Sequence, residues 1–241
     1  MLDFSRFRFL TFDCYGTLVD WESGIFSALR PIFASHGKSL DDARLLELYG
    51  ELEAQEEAGP FRSYREVLRS VVRGFGQKLG FTPTEAEERS LPESLKNWKP
   101  WPDTVAALQQ LKARYRLAII SNVDDDLFAP TARQLQVPFD QVITAQQAQC
   151  YKPSPGIFHQ ALKRIDASPQ QVLHVGQSIY HDVNPARSLG MSTVWVNRPS
   201  PRVGIGAVKP ASGQPDLEVP DLAALVTVIG AGSRGQAPAR S

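Results

Sequence analysis

The feature that most limits the fold is the alternation of short apolar runs with amphipathic stretches in the second half of the chain. Helical spacing over Thr104 to Tyr115 gives way to a strand-like run, Leu117 to Ser121, and the pattern then repeats. A helix at Leu127 to Leu135 precedes a strand at Gln141 to Ala145, and Gly156 to Ile165 precedes Val172 to Gly176. Val183 to Leu189 then precedes a strand at Thr193 to Asn197. Repeated strand–helix units force parallel pairing, because each helix returns the chain to the same end of the sheet. The expected class is therefore α/β. A Pro-, Gly- and Ser-rich loop over residues 198–215 leads to a short strand at Leu217 to Val219 and a helix from Asp221 to Val228. Residues 231–241 read as a disordered tail.

The opening run, Phe7 to Asp20 (FRFLTFDCYGTLVD), belongs to the same sheet. Phe7, Phe9, Leu10 and Phe12 form a buried strand that delivers Asp13 to its carboxyl end, the edge where α/β sheets bind ligands. Gly16 lets the chain turn sharply, and Thr17 offers a hydroxyl to a neighbouring backbone group or a ligand. Between this run and the alternating half lie helices at Glu22 to His36, Leu40 to Ala58, Tyr64 to Leu79 and Glu85 to Leu95. The expected organisation is a parallel-sheet core of residues 1–18 and 99–230 interrupted by a helical cap of residues 19–98. Asn97 to Asp103, with two prolines and two tryptophans, reads as a stiff return crossing.

Charge narrows the partners. Lys plus Arg and Asp plus Glu both number 26, so no overall field favours nucleic acid or an anionic membrane. The first residues lack a signal-peptide pattern, and no apolar run is long enough to span a bilayer. A cytoplasmic protein with a small-molecule partner is expected, with no nucleic acid and no membrane, and a homodimer as the candidate assembly. Cys14 and Cys150 are too few for a disulfide framework and are not spaced as a zinc site.

Four strand ends carry polar groups that could share one site. Asp13 follows the first strand and Ser121-Asn122 the second. Lys152 follows the third, and Gly176-Gln177-Ser178 with Asp182 the fourth. Singly, each has an ordinary explanation: a helix cap at Ser121-Asn122, a solvated lysine, or a carboxylate favoured by a helix dipole at Asp182. Four such clusters converging on one sheet edge are harder to explain that way.

The blocks FDCYGTLVD, IISNVD, YKPSPGIF and HVGQSIYHDVNPARSLG resemble, in order and spacing, the four motifs of the haloacid dehalogenase superfamily. The resemblance implies a Rossmann-like core with an inserted helical cap. Phosphatases of that superfamily place a second aspartate two residues after the nucleophile and hold magnesium between the first and fourth motifs. Here those positions are Tyr15, whose phenol ionises near ~10, and Gln177. Asp13 and Asp182 remain as the carboxylate ligands that a magnesium-dependent phosphatase would use. The run Asp13 to Leu18 instead looks like the first motif of the L-2-haloacid dehalogenases.

By that resemblance Asp13 displaces halide from a short 2-haloacid to form an ester, and no cofactor is needed. Lys152 would keep Asp13 ionised, and Asp182 would position or deprotonate the hydrolytic water. Ser121 and the backbone at Asn122 would bind the substrate carboxylate, with Tyr15, Thr17 and Gln177 around it. Ser178 would support the Asp13–Lys152 pair. These dehalogenases also carry a cap arginine for substrate and halide. Leu48 to Glu53 occupies roughly its place, and Arg62 or Arg65 would have to substitute. Trp21 and Phe61 are expected to line an apolar pocket. A magnesium-dependent phosphatase and a catalytically silent binding protein are the alternative readings.

Overall fold

The computed structural model describes residues 2–199 and 206–234. Six parallel strands form one sheet: β1 (Phe9–Phe12), β2 (Arg116–Ser121), β3 (Gln141–Thr144), β4 (Val172–Gly176), β5 (Ser192–Val196) and β6 (Leu217–Val219). Their order across the sheet is β3-β2-β1-β4-β5-β6, so the chain builds outward from β1 in one direction and then in the other. β1 therefore sits at the switch point, with the connections on either side of it leaving in opposite directions and a crevice opening beyond its carboxyl end. Asp13 follows β1 directly.

All four residues of β1 are buried, as expected for a central strand covered on both faces. Alternation sends Leu10 and Phe12 to one side of the sheet and Phe9 to the other, where it meets Ile120, Ile143, Ile157 and Phe158. The second layer comprises helices α8 (Pro155–Ile165) and α9 (Asn184–Ser188), whereas α5 (Thr104–Lys112) and α10 (Leu222–Arg234) pack together on the other face.

Between β1 and α5 the chain makes four helices: α1 (Trp21–Ser35), α2 (Asp42–Glu57), α3 (Tyr64–Leu79) and α4 (Glu85–Ser94). Each starts on a side-chain cap: Asp20, Asp41, Ser63 and Thr84 accept from backbone amides of their first turns. Entry and exit run side by side, with Asp20 N–H donating to Lys99 O at 2.9 Å and Trp101 N–H to Leu18 O at 3.0 Å. Trp98 closes this neck against Gly24, where a Cβ would meet the indole ring at 2.5 Å, so no larger residue fits. Asp124, in the loop after β2, caps α3 from the sheet side: its two oxygens accept from Tyr64 and Arg65 N–H at 2.9 Å each. The helices are thereby anchored over the crevice.

Two expectations from sequence change, and a third falls partly outside the described residues. The last helix runs to Arg234, so residues 231–234, assigned to the disordered tail, are helical, and residues 235–241 lie outside the described residues. Its buried Leu222, Leu225 and Ile229 dock the helix, and the backbone continues past them. The helix expected at Val183 to Leu189 is preceded by a wide turn, Ile179–Val183, that carries Asp182 inward. Part of the expected 198–215 loop, residues 200–205, lies outside the described residues.

Candidate active site

Asp13, Tyr15, Ser121, Asn122, Lys152, Gln177, Ser178 and Asp182 all line one pocket over the carboxyl ends of the strands, so the sequence-predicted residues converge as their strand ends require. Its cavity volume is about 50 Å3, which by a measure of ~10–15 Å3 per water gives room for only a few waters or a short organic acid.

The floor is a network of three charges. Lys152 is buried, and its Nζ donates to Asp13 Oδ1 and to Asp182 Oδ1 at 2.7 Å each, and to Ile120 O at 3.1 Å. Asp13 Oδ2 accepts from the Thr17 hydroxyl at 2.7 Å, and Thr17 in turn accepts from Gln177 N–H at 2.9 Å. Thr17 therefore orients the carboxylate and does not reach the pocket, contrary to its expected substrate contact. Asp182 Oδ2 accepts from Ser178 N–H at 3.2 Å, and its Oδ1 lies 3.2 Å from His174 Nε2. Thr11 Oγ1 meets the other ring nitrogen of His174 at 2.9 Å.

Burial is the largest single influence on each of these ionisations, but it decides the outcome only at Asp13. It would lower the lysine, yet Asp13 and Asp182 together raise it. Burial would likewise raise Asp182, but Lys152 and His174 hold it below the usual carboxylate range. For Asp13 burial prevails over Lys152, with Asp182 adding repulsion, and its pKa rises. One ammonium shared by two carboxylates titrates as a unit. Within it, Asp182 is the better-stabilised anion.

The other predicted residues have more specific jobs than expected. The Asn122 side chain pairs with the backbone of Lys152, accepting from its N–H at 2.7 Å and donating to its O at 3.2 Å, and so fixes the lysine. Ser121 Oγ is buried and has no partner among the described residues, as befits a donor awaiting a ligand. Ser178 uses its hydroxyl on His181 N–H at 2.9 Å, so it supports Asp182 through the backbone and does not touch the Asp13–Lys152 pair. The Tyr15 hydroxyl bonds to Thr131 Oγ1 at 3.1 Å, leaving only its ring to the pocket, and burial raises its pKa well above the ordinary phenol. It is neither acid nor base here.

The helical wall corrects two further expectations. Arg62 pairs with Glu56 and Arg65 with Asp126, and neither lines the pocket. Phe61 also stays outside, against Tyr151, whereas Trp21 does line it, with a buried Nε1 that has no partner among the described residues. In the place expected for a cationic side chain stand Glu53 and Glu57 of α2, with Tyr64 of α3. Glu53 fell within the stretch singled out from sequence; Glu57, Tyr64 and His174 were missed. The spacing of Tyr49, Glu53 and Glu57 at successive fourth positions is the signal that points to Glu57; Tyr64 on α3 and His174 on β4 carry no such pattern.

The carboxylates also bear on magnesium. The cation position between Asp13 and Asp182 is filled by the lysine ammonium, 2.7 Å from each, and Gln177 adds no charge. Among the described residues no group of three or more His, Cys, Asp or Glu is arranged to hold a metal ion. The residues present do not fit a magnesium centre.

A buried aspartate at the switch point of a parallel sheet, gripped by a lysine and roofed by an inserted helical segment, is an arrangement suited to a carboxylate nucleophile. A family model for haloacid dehalogenase-like hydrolases matches residues 7–190, and the chain belongs to that family. Similar relatives include (S)-2-haloacid dehalogenase 1 of Pseudomonas sp. (strain CBS-3), 29% identical over 79% of this chain and 85% of its own. Haloacetate dehalogenase H-2 of Moraxella sp. (strain B) is 27% identical over 91% of this chain and 96% of its own. A crystal structure of an L-2-haloacid dehalogenase superposes with a TM-score of 0.78 at 27% identity, covering 93% of this chain and 99% of that one.

Proposed function

We propose that this hydrolase removes halide from short 2-haloacids through an ester on Asp13, with the helical segment 19–98 acting as a cap over the core of residues 1–18 and 99–230. The observation that carries the reading is the posture of Asp13: Oδ1 on Lys152 at 2.7 Å and Oδ2 on Thr17 at 2.7 Å, in a small pocket that also holds the unpartnered Ser121 hydroxyl. The names of the relatives support it.

In the first step an Asp13 oxygen attacks C2 of the acid, the carbon–halogen bond breaks, and halide leaves with the electron pair. No proton is needed by the leaving group, which suits a site where Tyr15 replaces an acid. Asp13 is the less stabilised anion of the two, because burial and the Asp182 charge outweigh Lys152 there while His174 adds to Lys152 at Asp182, and so it is the more basic and nucleophilic. Ser121 Oγ and the Asn122 backbone would hold the substrate carboxylate. In the second step water attacks the ester carbonyl, the Asp13 acyl–oxygen bond breaks, one water proton passes to the leaving alkoxide so that the 2-hydroxyacid departs, and the other is released to solvent as Asp13 returns to the carboxylate. Asp182, depressed by Lys152 and His174 despite its burial, is suited to orienting that water more than to deprotonating it.

No helix among the described residues is long and apolar enough to cross a membrane. The balanced charge supports an enzyme whose partner is a small molecule, not nucleic acid, and the cytoplasm is the compartment we assign to it. The test is halide release from (S)-2-chloropropionate, followed by a single turnover in heavy-oxygen water. Label in the Asp13 carboxyl is expected; label found only in the product acid would exclude the ester.

A further inference from the structure

The pocket floor is balanced by Lys152, but its helical wall carries two more carboxyls. Glu53 and Glu57 lie four residues apart on α2 and so share one helix face, and both line the pocket with Asp13 and Lys152. Glu53 is buried, and its Oε1 accepts from the Tyr64 hydroxyl at 2.6 Å and the Tyr49 hydroxyl at 2.9 Å. Both oxygens of Glu57 lie 3.4 Å from Asn122 Nδ2. Glu57 therefore borders the Ser121–Asn122 corner assigned above to the substrate carboxylate.

Among the described residues neither glutamate is ion-paired with a lysine or arginine. The titratable groups facing them are Tyr49 on α2, Tyr64 on α3, and Tyr151 and Lys152 after β3. Asp13 faces them from the end of β1, Asp124 from the loop after β2, and His181 and Asp182 from the turn after β4. Arg62, whose charge reaches Tyr151, is paired with Glu56, and the charge of Lys209 reaches His181, but Lys152 is the one lysine or arginine that lines the pocket with the two glutamates, and Asp13 and Asp182 already share it. Burial pushes His181 down to about 4, so it adds no positive charge near neutrality. Burial also pushes Glu53 up to about 7, against the two phenols, and burial followed by the charge of Glu53 raises Glu57. A third anion entering this corner meets repulsion that the burial of these groups leaves poorly screened.

We propose that Glu53 and Glu57 set the charge the pocket accepts: an anionic 2-haloacid binds with a proton taken up on this pair, and an uncharged analogue binds without one. The inference rests on the proposed carboxylate site at Ser121 and Asn122. Proton linkage makes it measurable in binding constants separately from chemistry.

Halide release is measured from (S)-2-chloropropionate and (S)-2-chloropropionamide across about pH 6 to 9. Above the titration of the pair, KM for the acid is expected to rise about tenfold per pH unit, with kcat changing less than about threefold and KM for the amide flat. Glu57→Gln is expected to flatten the acid's profile and lower its KM at about pH 8 by roughly tenfold. Glu53→Gln, which keeps a hydrogen-bonding group for the two tyrosines, guards against a folding defect in the first variant. A flat KM for the acid in the wild type, or a slope retained in both variants, overturns the proposal. Calorimetry on Asp13→Asn in two buffers of different ionisation enthalpy provides a readout independent of turnover. About one proton taken up per acid bound at about pH 8, and none per amide, is expected; no uptake, or no binding of the acid, overturns the proposal. Proton-linked binding without halide release from wild type would sink the dehalogenase reading and leave the role of the pair intact.

Discussion

The floor and the helical wall of the pocket treat charge in opposite ways. On the floor, Asp13 and Asp182 converge on one ammonium, and threonine, histidine and backbone groups satisfy most of their remaining oxygens. On the wall, Glu53 and Glu57 converge on two phenols and an amide, neutral donors that bind a carboxyl without cancelling its charge. The floor is thus preorganised for one reaction, with its charges fixed. The wall is left sensitive to protons and to the charge of whatever enters. In a fold whose chemistry sits on the sheet, selectivity can be written on the helices that cover it.

Removing the floor's nucleophile should separate the two regions most sharply. Asp13→Asn is expected to lose halide release by on the order of 10^4-fold or more while keeping the wall's proton-linked binding. Lys152→Met strands two buried carboxylates, and urea unfolding should show a loss of about 3–5 kcal/mol together with loss of turnover. An unchanged midpoint would show that the floor does not depend on its cation.

The wall should respond more mildly. Tyr64→Phe removes a 2.6 Å hydrogen bond to buried Glu53 and should cost about 1–3 kcal/mol in the same assay. The pH dependence of stability offers a finer distinction. Because burial raises Glu53 from 4.5 to about 7, the folded protein holds a proton that the unfolded chain has released, so this group's contribution to stability falls as pH rises through that window. Asp182 acts with the opposite sign: its depressed pKa stabilises the fold above the unfolded value and is lost as pH falls through the folded one. Glu53→Gln should flatten the neutral limb of a stability–pH curve and Asp182→Asn the acid limb; exchanged effects would reverse the assignment. Smallest of all, Tyr15→Phe should leave halide release within about threefold and cost roughly 0.5–1.5 kcal/mol, since its hydroxyl bonds to Thr131 and not to the reacting groups.

The core of this arrangement was legible because its determinants are local. An apolar run ending in Asp13, a lysine after β3 and a carboxylate after β4 place themselves once parallel strands align their ends. Ser178 and Thr17 lie at the strand ends where the sequence puts them, but their hydroxyls meet His181 N–H and, for Thr17, Asp13 and Gln177 N–H, because the direction of a hydroxyl within a turn depends on neighbours that the sequence does not order. The arginine expected on the wall failed for a similar reason. Arg62 and Arg65 belong to surface pairs with Glu56 and Asp126, and which face of α2 and α3 meets the sheet is decided by packing.

By itself, then, the sequence determined the parallel sheet, the helical insertion and the three charged residues of the floor, since strand periodicity and chain connectivity dictate all three. Only the tertiary structure decided that α2 turns Glu53 and Glu57 toward Asp13. That choice rests on the rotation and seating of a helix, held by Asp124 capping α3 and by Trp98 against Gly24, contacts 60 and 74 residues apart along the chain. Long-range packing of this kind leaves little trace in local pattern, yet it sets the charge that a substrate meets.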